Sequence, residues 1–281
     1  LAALSLGVLF AFGTSAWSVA SRALWQHGPS MLLIAIALHL LARARSEERL
    51  AAYAGIPLAL AYVVRPTNAA AVAVFSLLVA FRHPRAMARY VAYALPIAIL
   101  FVGYDWATYH SILPPYYQAT RLGLLPSFAS ALAGNLISPA RGLFVYTPVF
   151  LLSLLGVALK FRRRELDALD AALLALVLLH WLLISSFSHW WGGHSYGPRL
   201  FSDLIPVFVY FLVPVLQQIG ASSGWHRRVA VAGFAALAVA GILLHLRGAT
   251  DRRTWQWNST PVDVDRAPAR LWDFRDPPFL R

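Results

Sequence analysis

The segment VAVAGFAALAVAGILLHL, residues 229–246, contains no acidic residue, no lysine and no arginine. An apolar run of about 18 residues or more predicts a transmembrane helix. Shorter runs of the same character recur along the chain and predict further membrane segments, about nine in all. The predicted segments are 1–16, 29–42, 50–64, 66–81, 90–104, 143–159, 171–187, 204–219 and 229–246. The sequence therefore predicts an all-α, polytopic transmembrane helical bundle.

The composition of the whole chain agrees with this prediction. Of its 281 residues, 59% are hydrophobic and 13% are charged, whereas about 25% are charged in an ordinary soluble domain. The net charge of +12 comes almost wholly from arginine, since Lys160 is the one lysine. The arginines form short clusters between apolar runs, which excludes a continuous basic face for nucleic acid. Because the chain has no cysteine, disulfide and thiolate chemistry are excluded as well.

The basic clusters also predict an orientation, because loops rich in arginine and lysine stay in the cytoplasm. Residues 50–81 form either one long tilted helix or two passes broken at Arg65-Pro66, and two passes place every cluster on the cytoplasmic side. The outer face then receives the longer, aromatic-rich loops. We expect residues 1–246 to form the transmembrane domain. Residues 247–281 are rich in aromatic residues and proline, and we expect an ordered outer-face extension there.

The densest group of chemically capable residues is the segment HWWGGHSYGPR, residues 189–199. Arg199 offers a planar fork of donors that fits a phosphate, and aromatic rings can stack on a sugar. We predict that Arg199 binds a lipid phosphate. The predicted contacts to the sugar or substrate come from the same segment and the helix after it: Trp190, Trp191, His194, Tyr196 and Asp203. The alternative is a purely structural role, in which the tryptophans anchor the chain at the membrane interface and Arg199 forms an ion pair with Asp203.

Two more arginines are candidate ligands for a lipid phosphate. Arg65 stands among apolar residues, where a charge is costly unless it finds a partner. Arg141 follows Ser138 and Pro139, which we interpret as the N-cap and first position of a helix, so that an anion would be favoured there. For both arginines, snorkelling to head groups is the alternative.

Asp105 is a weak candidate for a base or a hydroxyl contact. It follows an apolar run at its carboxyl end, where the helix dipole disfavours an acid. The spacing of His110, His189 and His194 relative to Asp105 matches no metal-ligand motif. The sequence thus assigns no metal ligands, and it leaves a requirement for a divalent metal open.

Several short motifs together resemble bacterial members of the GT-C superfamily of integral-membrane glycosyltransferases, related to protein mannosyltransferases and aminoarabinose transferases. The motifs are WSVASRALW at 17–25, RPT at 65–67, SPARGL at 138–143, WWGG at 190–193 and GPR at 197–199. The resemblance implies transfer of a sugar from a polyprenyl-phosphate-linked donor to a lipid, glycan or protein acceptor. The expected location is the periplasmic or outer face of a bacterial inner membrane, and the expected partners are membrane lipids, the donor and the acceptor.

In that family the catalytic carboxylate lies in the first outer loop. We expect this loop to precede Leu1, so the catalytic residue is expected upstream and none is assigned in residues 1–281. The resemblance implies no cofactor beyond the lipid-linked donor substrate. Two other function classes stay open: a transporter or flippase of lipid-linked sugars, and a noncatalytic membrane subunit.

Overall fold

The computed structural model describes residues 2–117, 123 and 127–281, and within them the chain is helical, without β-strands. Short 3₁₀ segments and one π-helical turn, Ala16–Ala20, connect the α-helices. The α-helices are α1 Ala2–Phe12, α2 His27–Arg43, α3 Leu50–Tyr53, α4 Gly55–Val64, α5 Ala69–Arg82, α6 Pro84–Tyr109, α7 Phe128–Ile137, α8 Leu143–Tyr146, α9 Leu151–Arg162, α10 Ala168–Ser185, α11 Ile205–Ala221, α12 Gly224–Thr250 and α13 Arg252–Gln256.

Four helical segments in the described part of the chain are long and apolar enough to cross a membrane. They are Pro84–Tyr109, Ala168–Ser185, Arg199–Ala221 and Gly224–Thr250. The other predicted membrane segments correspond to shorter apolar helices or to interrupted ones. The chain thus has the all-helical character of a membrane protein, and the count of about nine membrane segments stays a prediction.

The backbone breaks at Arg65, where two passes were weighed against one long helix. Helix α4 ends at Val64, and Arg65 is extended with φ −151° and ψ 129°. A residue before proline is pushed out of the helical region, and Pro66 has no N–H to continue the helix. The continuous-helix alternative is therefore wrong. That each half crosses the membrane stays a prediction.

Two local predictions between residues 138 and 159 are wrong. Ser138 does not begin a helix: it follows the last residue of α7, with φ −59° and ψ 136°. The predicted segment 143–159 is also not one helix, because α8 ends at Tyr146 and a 3₁₀ turn, Pro148–Phe150, precedes α9. Pro148 lacks the N–H that a continuous helix would need, which explains the interruption.

The chain divides into two compact units. The first unit comprises Leu1–Gly28, Leu124–Leu166 and His189–Arg281, and the second comprises Pro29–Gly123 and Asp167–Ser188. The tail, which the sequence set apart at residue 247, belongs to the first unit, and α12 continues four residues past Leu246. Within this unit Trp257, Val264 and Leu271 of the tail form one buried cluster with Ala131 of α7 and with Ala140, Trp190 and Trp191 of the loops.

Close helix contacts build each unit. In the first unit Gly156 of α9 lies against the carbonyl oxygen of Phe211 in α11, and Ser153 Oγ donates to the carbonyl oxygen of Phe208 at 2.8 Å. In the second unit Gly55 lies beneath the carbonyl of Tyr90 in α6. Small residues at these positions allow two backbones to approach closely, as at helix interfaces in membranes.

Candidate functional site

The loop of residues 189–199 in the first unit is shaped by its glycines. Gly192, Gly193 and Gly197 have φ of 73°, 66° and 63°, in the left-handed region that favours glycine. A Cβ on Gly197 would also lie 2.9 Å from Cδ1 of Tyr146. The loop therefore needs glycine at these positions to reach the conformation that presents Arg199.

The guanidinium of Arg199 is held on several sides. Its central carbon lies 3.7 Å from the centre of the Trp25 ring, within the range of a cation–π contact. Its Nε–H donates to Nε2 of His27 at 3.2 Å, and Nη1 donates to the carbonyl oxygen of Gly192 at 2.9 Å. The side chain is half-buried. The guanidinium is thus fixed in orientation while remaining partly exposed to solvent.

A buried carboxylate, Asp203, contacts the histidine that accepts from Arg199. Oδ1 of Asp203 lies 3.1 Å from Nδ1 of His27, and neither side chain has any exposed surface. Because His27 Nε2 accepts from Arg199, we assign the imidazole proton to Nδ1, from which it is donated to Asp203. Asp203, His27 and Arg199 form a continuous hydrogen-bonded chain, called the Arg199 chain below.

Sequence reasoning missed His27 as a site residue. The contact partners lie 172 and 176 residues away along the chain, and no local spacing predicts that approach. For Asp203 the sequence favoured substrate contact or pairing with Arg199. In the structure Asp203 is buried and bonded to His27, and substrate contact by Asp203 stays a prediction.

Arg141 is buried to 2% exposure in the same unit and donates to protein acceptors. Nε donates to the carbonyl oxygen of Trp191 at 2.9 Å, Nη1 to that of Ala140 at 2.9 Å, and Nη2 to that of Gly193 at 3.1 Å and to Oδ1 of Asn258 at 2.6 Å. Burial lowers the pKa of Arg141 to about 10. These contacts tie the loop to the tail, and phosphate binding by Arg141 stays a prediction.

The aromatic side chains predicted to contact sugar are mostly buried. Trp190 packs beneath Gly134, and the indole N–H of Trp191 donates to Oδ1 of Asp265 at 2.6 Å. The hydroxyl of Tyr196 donates to the carbonyl oxygen of Leu244 at 2.7 Å. Because Trp190, Trp191 and Tyr196 are only 3%, 6% and 1% exposed, their contacts give them a packing role. Sugar contact by these three residues stays a prediction.

His194 meets two tail carboxylates. Its Nε2 lies 3.1 Å from Oδ2 of Asp263 and 3.9 Å from Oδ2 of Asp265. Hydrogen bonds from the backbone N–H of Asp265 and from His194 lower the pKa of Asp263. The potential ligand atoms of these three residues, one from each, all lie within 4.8 Å of one another. An imidazole together with carboxylates can hold a divalent cation. Spacing could not predict this group, because His194 and Asp263 are 69 residues apart.

The remaining candidates, Arg65 and Asp105, belong to the second unit. Arg65 is 7% exposed, and its Nε donates to Oγ1 of Thr67 at 3.3 Å. Asp105 is 1% exposed within α6, and its Oδ2 has no hydrogen-bond partner among the described residues. The phosphate role of Arg65 and the base or hydroxyl role of Asp105 stay predictions.

Comparisons of this chain with protein-family models, with curated proteins and with solved structures find no match.

Proposed function

We propose that the chain is part of a membrane glycosyltransferase that moves a sugar from a polyprenyl-phosphate-linked donor to a lipid, glycan or protein acceptor. The proposed reaction takes place at the periplasmic face of a bacterial inner membrane. The proposal is carried by the Arg199 chain, in which a partly exposed guanidinium is held rigidly by Trp25, His27 and the loop backbone. The GT-C resemblance of the motifs that contain Trp25 and Arg199 supplies the reaction class.

The role proposed for Arg199 follows from the charge that develops during transfer. When an acceptor hydroxyl attacks the anomeric carbon and displaces the carrier with inversion, negative charge grows on the departing phosphate. A fixed guanidinium stabilises that charge more in the transition state than in the ground state. Its planar donors fit phosphate oxygens better than a single ammonium does. In this proposal His27, backed by Asp203, positions Arg199 for this task.

The family resemblance implies that a carboxylate deprotonates the acceptor hydroxyl. Asp105 is kept as the weak candidate within the chain, because its buried Oδ2 has no hydrogen-bond partner among the described residues. The tail and the loop that it covers would then form the outer-face surface beside the phosphate.

Arg199→Lys tests the proposal, because lysine keeps the charge but loses the fork of donors. In the purified complete protein, we expect transfer from a polyprenyl-phosphate sugar to fall at least tenfold, mainly through the catalytic rate. The matched control is Arg270→Lys. Arg270 also stacks on a tryptophan, 4.3 Å from the Trp257 ring, and donates to the carbonyl oxygen of Thr260 at 2.9 Å. The control should transfer at the wild-type rate.

Unchanged transfer by a folded Arg199→Lys variant would remove Arg199 from the phosphate role. If proteoliposomes of the complete protein moved lipid-linked sugar across the bilayer without forming a glycosidic bond, the transporter class would replace the proposal. Absence of both activities would favour a noncatalytic subunit.

A further inference from the structure

A groove of about 700 Å³ lies in the first unit between α9, α11 and α12, and sugar transfer gives it no role. Leucines of α9 line one wall, Leu152, Leu155 and Leu159 among them, and the first half of α12 lines the opposite wall. Only 11% of the apolar, potentially membrane-crossing part of α12 is buried. The groove therefore lies on a helix surface that is largely uncovered by protein.

The groove is apolar along its length and polar at one end. Along α9 the lining runs from Leu152 to Arg162 and Arg163, and Gln218 and Ser222 join it where α11 ends. Ten residues of helix span about 15 Å, which is half of the roughly 30 Å hydrocarbon core of a bilayer. An apolar channel of this length with a polar mouth has the dimensions of one leaflet.

The polar end of the groove carries an excess of positive charge. Arg162 and Arg163 line this end. Lys160 and Arg164 flank them in sequence, and Arg227 and Arg228 shortly precede the lining residue Ala230 of α12. The acid shown at this end is Glu165, whose Oε2 lies 3.9 Å from Arg163. Arg163 also donates to Oε1 of Gln218. Basic groups between helix ends at the cytoplasmic surface attract the head groups of anionic lipids.

Gly233 leaves room in the wall formed by α12. A Cβ built on this residue would meet no atom within 4 Å. Glycine costs about 0.5 to 1 kcal/mol relative to alanine inside a helix. Open space at this helical glycine shows that no side chain of the described residues fills this part of the groove.

We propose that this groove binds one anionic phospholipid of the cytoplasmic leaflet. One acyl chain would lie along the leucines of α9 and past Gly233, and the phosphate would contact Arg162 and Arg163. A zwitterionic lipid would gain less from the excess positive charge. A helix from a second copy of the chain would remove Arg162 and Arg163 from water without supplying a phosphate, and desolvating charged groups is costly.

Native mass spectrometry of the purified full chain in detergent, titrated separately with phosphatidylglycerol and phosphatidylcholine, tests the proposal. We expect one phosphatidylglycerol per chain, retained at least tenfold more tightly than phosphatidylcholine. The double variant Arg162→Ala/Arg163→Ala should lose that preference. The control Arg43→Ala/Arg89→Ala removes the same charge from exposed positions in the second unit and should bind as the wild type does.

A second pair of variants tests the apolar part. Gly233→Leu should fill the groove and reduce phosphatidylglycerol binding at least tenfold without lowering the melting temperature. The control Gly103→Leu introduces the same side chain at another open glycine, on α6. Equal binding of both lipids, or wild-type binding by either groove variant, would overturn the proposal. So would a lipid-free dimer that Gly233→Leu dissociates, since the groove would then hold a second copy.

Discussion

At the scale of single residues, the Arg199 chain shows how burial fixes chemical roles. His27 and Asp203 are fully buried, Oδ1 of Asp203 lies 3.1 Å from Nδ1 of His27, and Nε2 of the same ring accepts from Arg199. The histidine accepts from Arg199 on one side and donates to Asp203 on the other, so its neutral form suits both neighbours. A protonated His27 could no longer accept from Arg199.

We predict that His27→Ala lowers the free energy of unfolding by about 2–3 kcal/mol, because it removes the hydrogen bond to a buried carboxylate. Asp203→Ala should cost a similar amount, and the double variant should cost less than the sum of the two. Denaturant titration in mixed micelles measures all three. His39→Ala is the matched control, since His39 is exposed on the same helix. Strict additivity of the two losses would show that His27 and Asp203 do not interact.

The sequence identified candidate residues more easily than it predicted the contacts that those residues make. The sequence singled out Arg199 and Asp203 as unusual polar residues beside a helix start. Their partner His27 was missed, because no local pattern reports a contact across 172 residues. Arg141 was predicted to bind a lipid phosphate, which stays a prediction, and no local pattern indicated that carbonyl groups of the loop and Asn258 of the tail surround it.

At the scale of secondary structure elements, glycine sets how closely α9 and α11 approach. A Cβ on Gly156 would overlap the carbonyl oxygen of Phe211, which belongs to the backbone and cannot rotate away. Hydrophobic periodicity locates both helices but says nothing about this crossing point. Proline determines where helices end: at Pro66 and Pro148 it interrupts helices that the apolar pattern alone would continue.

Gly156→Ala should therefore destabilise the first unit by about 1–3 kcal/mol, as expected when a side chain is forced into a packed contact. Gly220→Ala on α11 introduces the same methyl group into open space and should be neutral or slightly stabilising. Denaturant titration of both variants against the wild type measures the difference. A Gly156→Ala protein as stable as Gly220→Ala would show that α9 and α11 pack less closely than described.

At the scale of the whole molecule, the tail is part of the first unit rather than an appendage. Trp257, Val264 and Leu271 are at most 1% exposed, and His194 pairs with Asp263. Composition predicted that such an aromatic segment would be ordered. It could not predict which loop the tail covers, because those contacts join residues far apart in the sequence.

The depressed pKa of Asp263 predicts how this attachment depends on pH. Because the folded-state pKa lies below the ordinary value of 3.8, the ionised carboxylate stabilises the fold above about pH 4. That contribution is lost as the pH falls through the folded-state pKa. Asp263→Asn should lower the melting temperature at pH 6 and lower it less at pH 3.

The control for this experiment is Asp273→Asn, at an exposed tail carboxylate that accepts from the backbone N–H of Arg275. Its difference from the wild type should change less between the two pH values. An Asp263→Asn difference that is constant from pH 3 to pH 6 would contradict the lowered pKa of Asp263.

The bonds of Arg141 to the tail have a consequence for biosynthesis. A ribosome makes Arg141, Trp191 and Gly193 long before it makes Asn258, so the loop waits for its last acceptor until α12 has been synthesised. Until then Arg141 lacks one of the hydrogen-bond acceptors that it has in the folded protein. A stop codon just after α12 would leave every long helix intact and still yield a protein whose loop never reaches its final form.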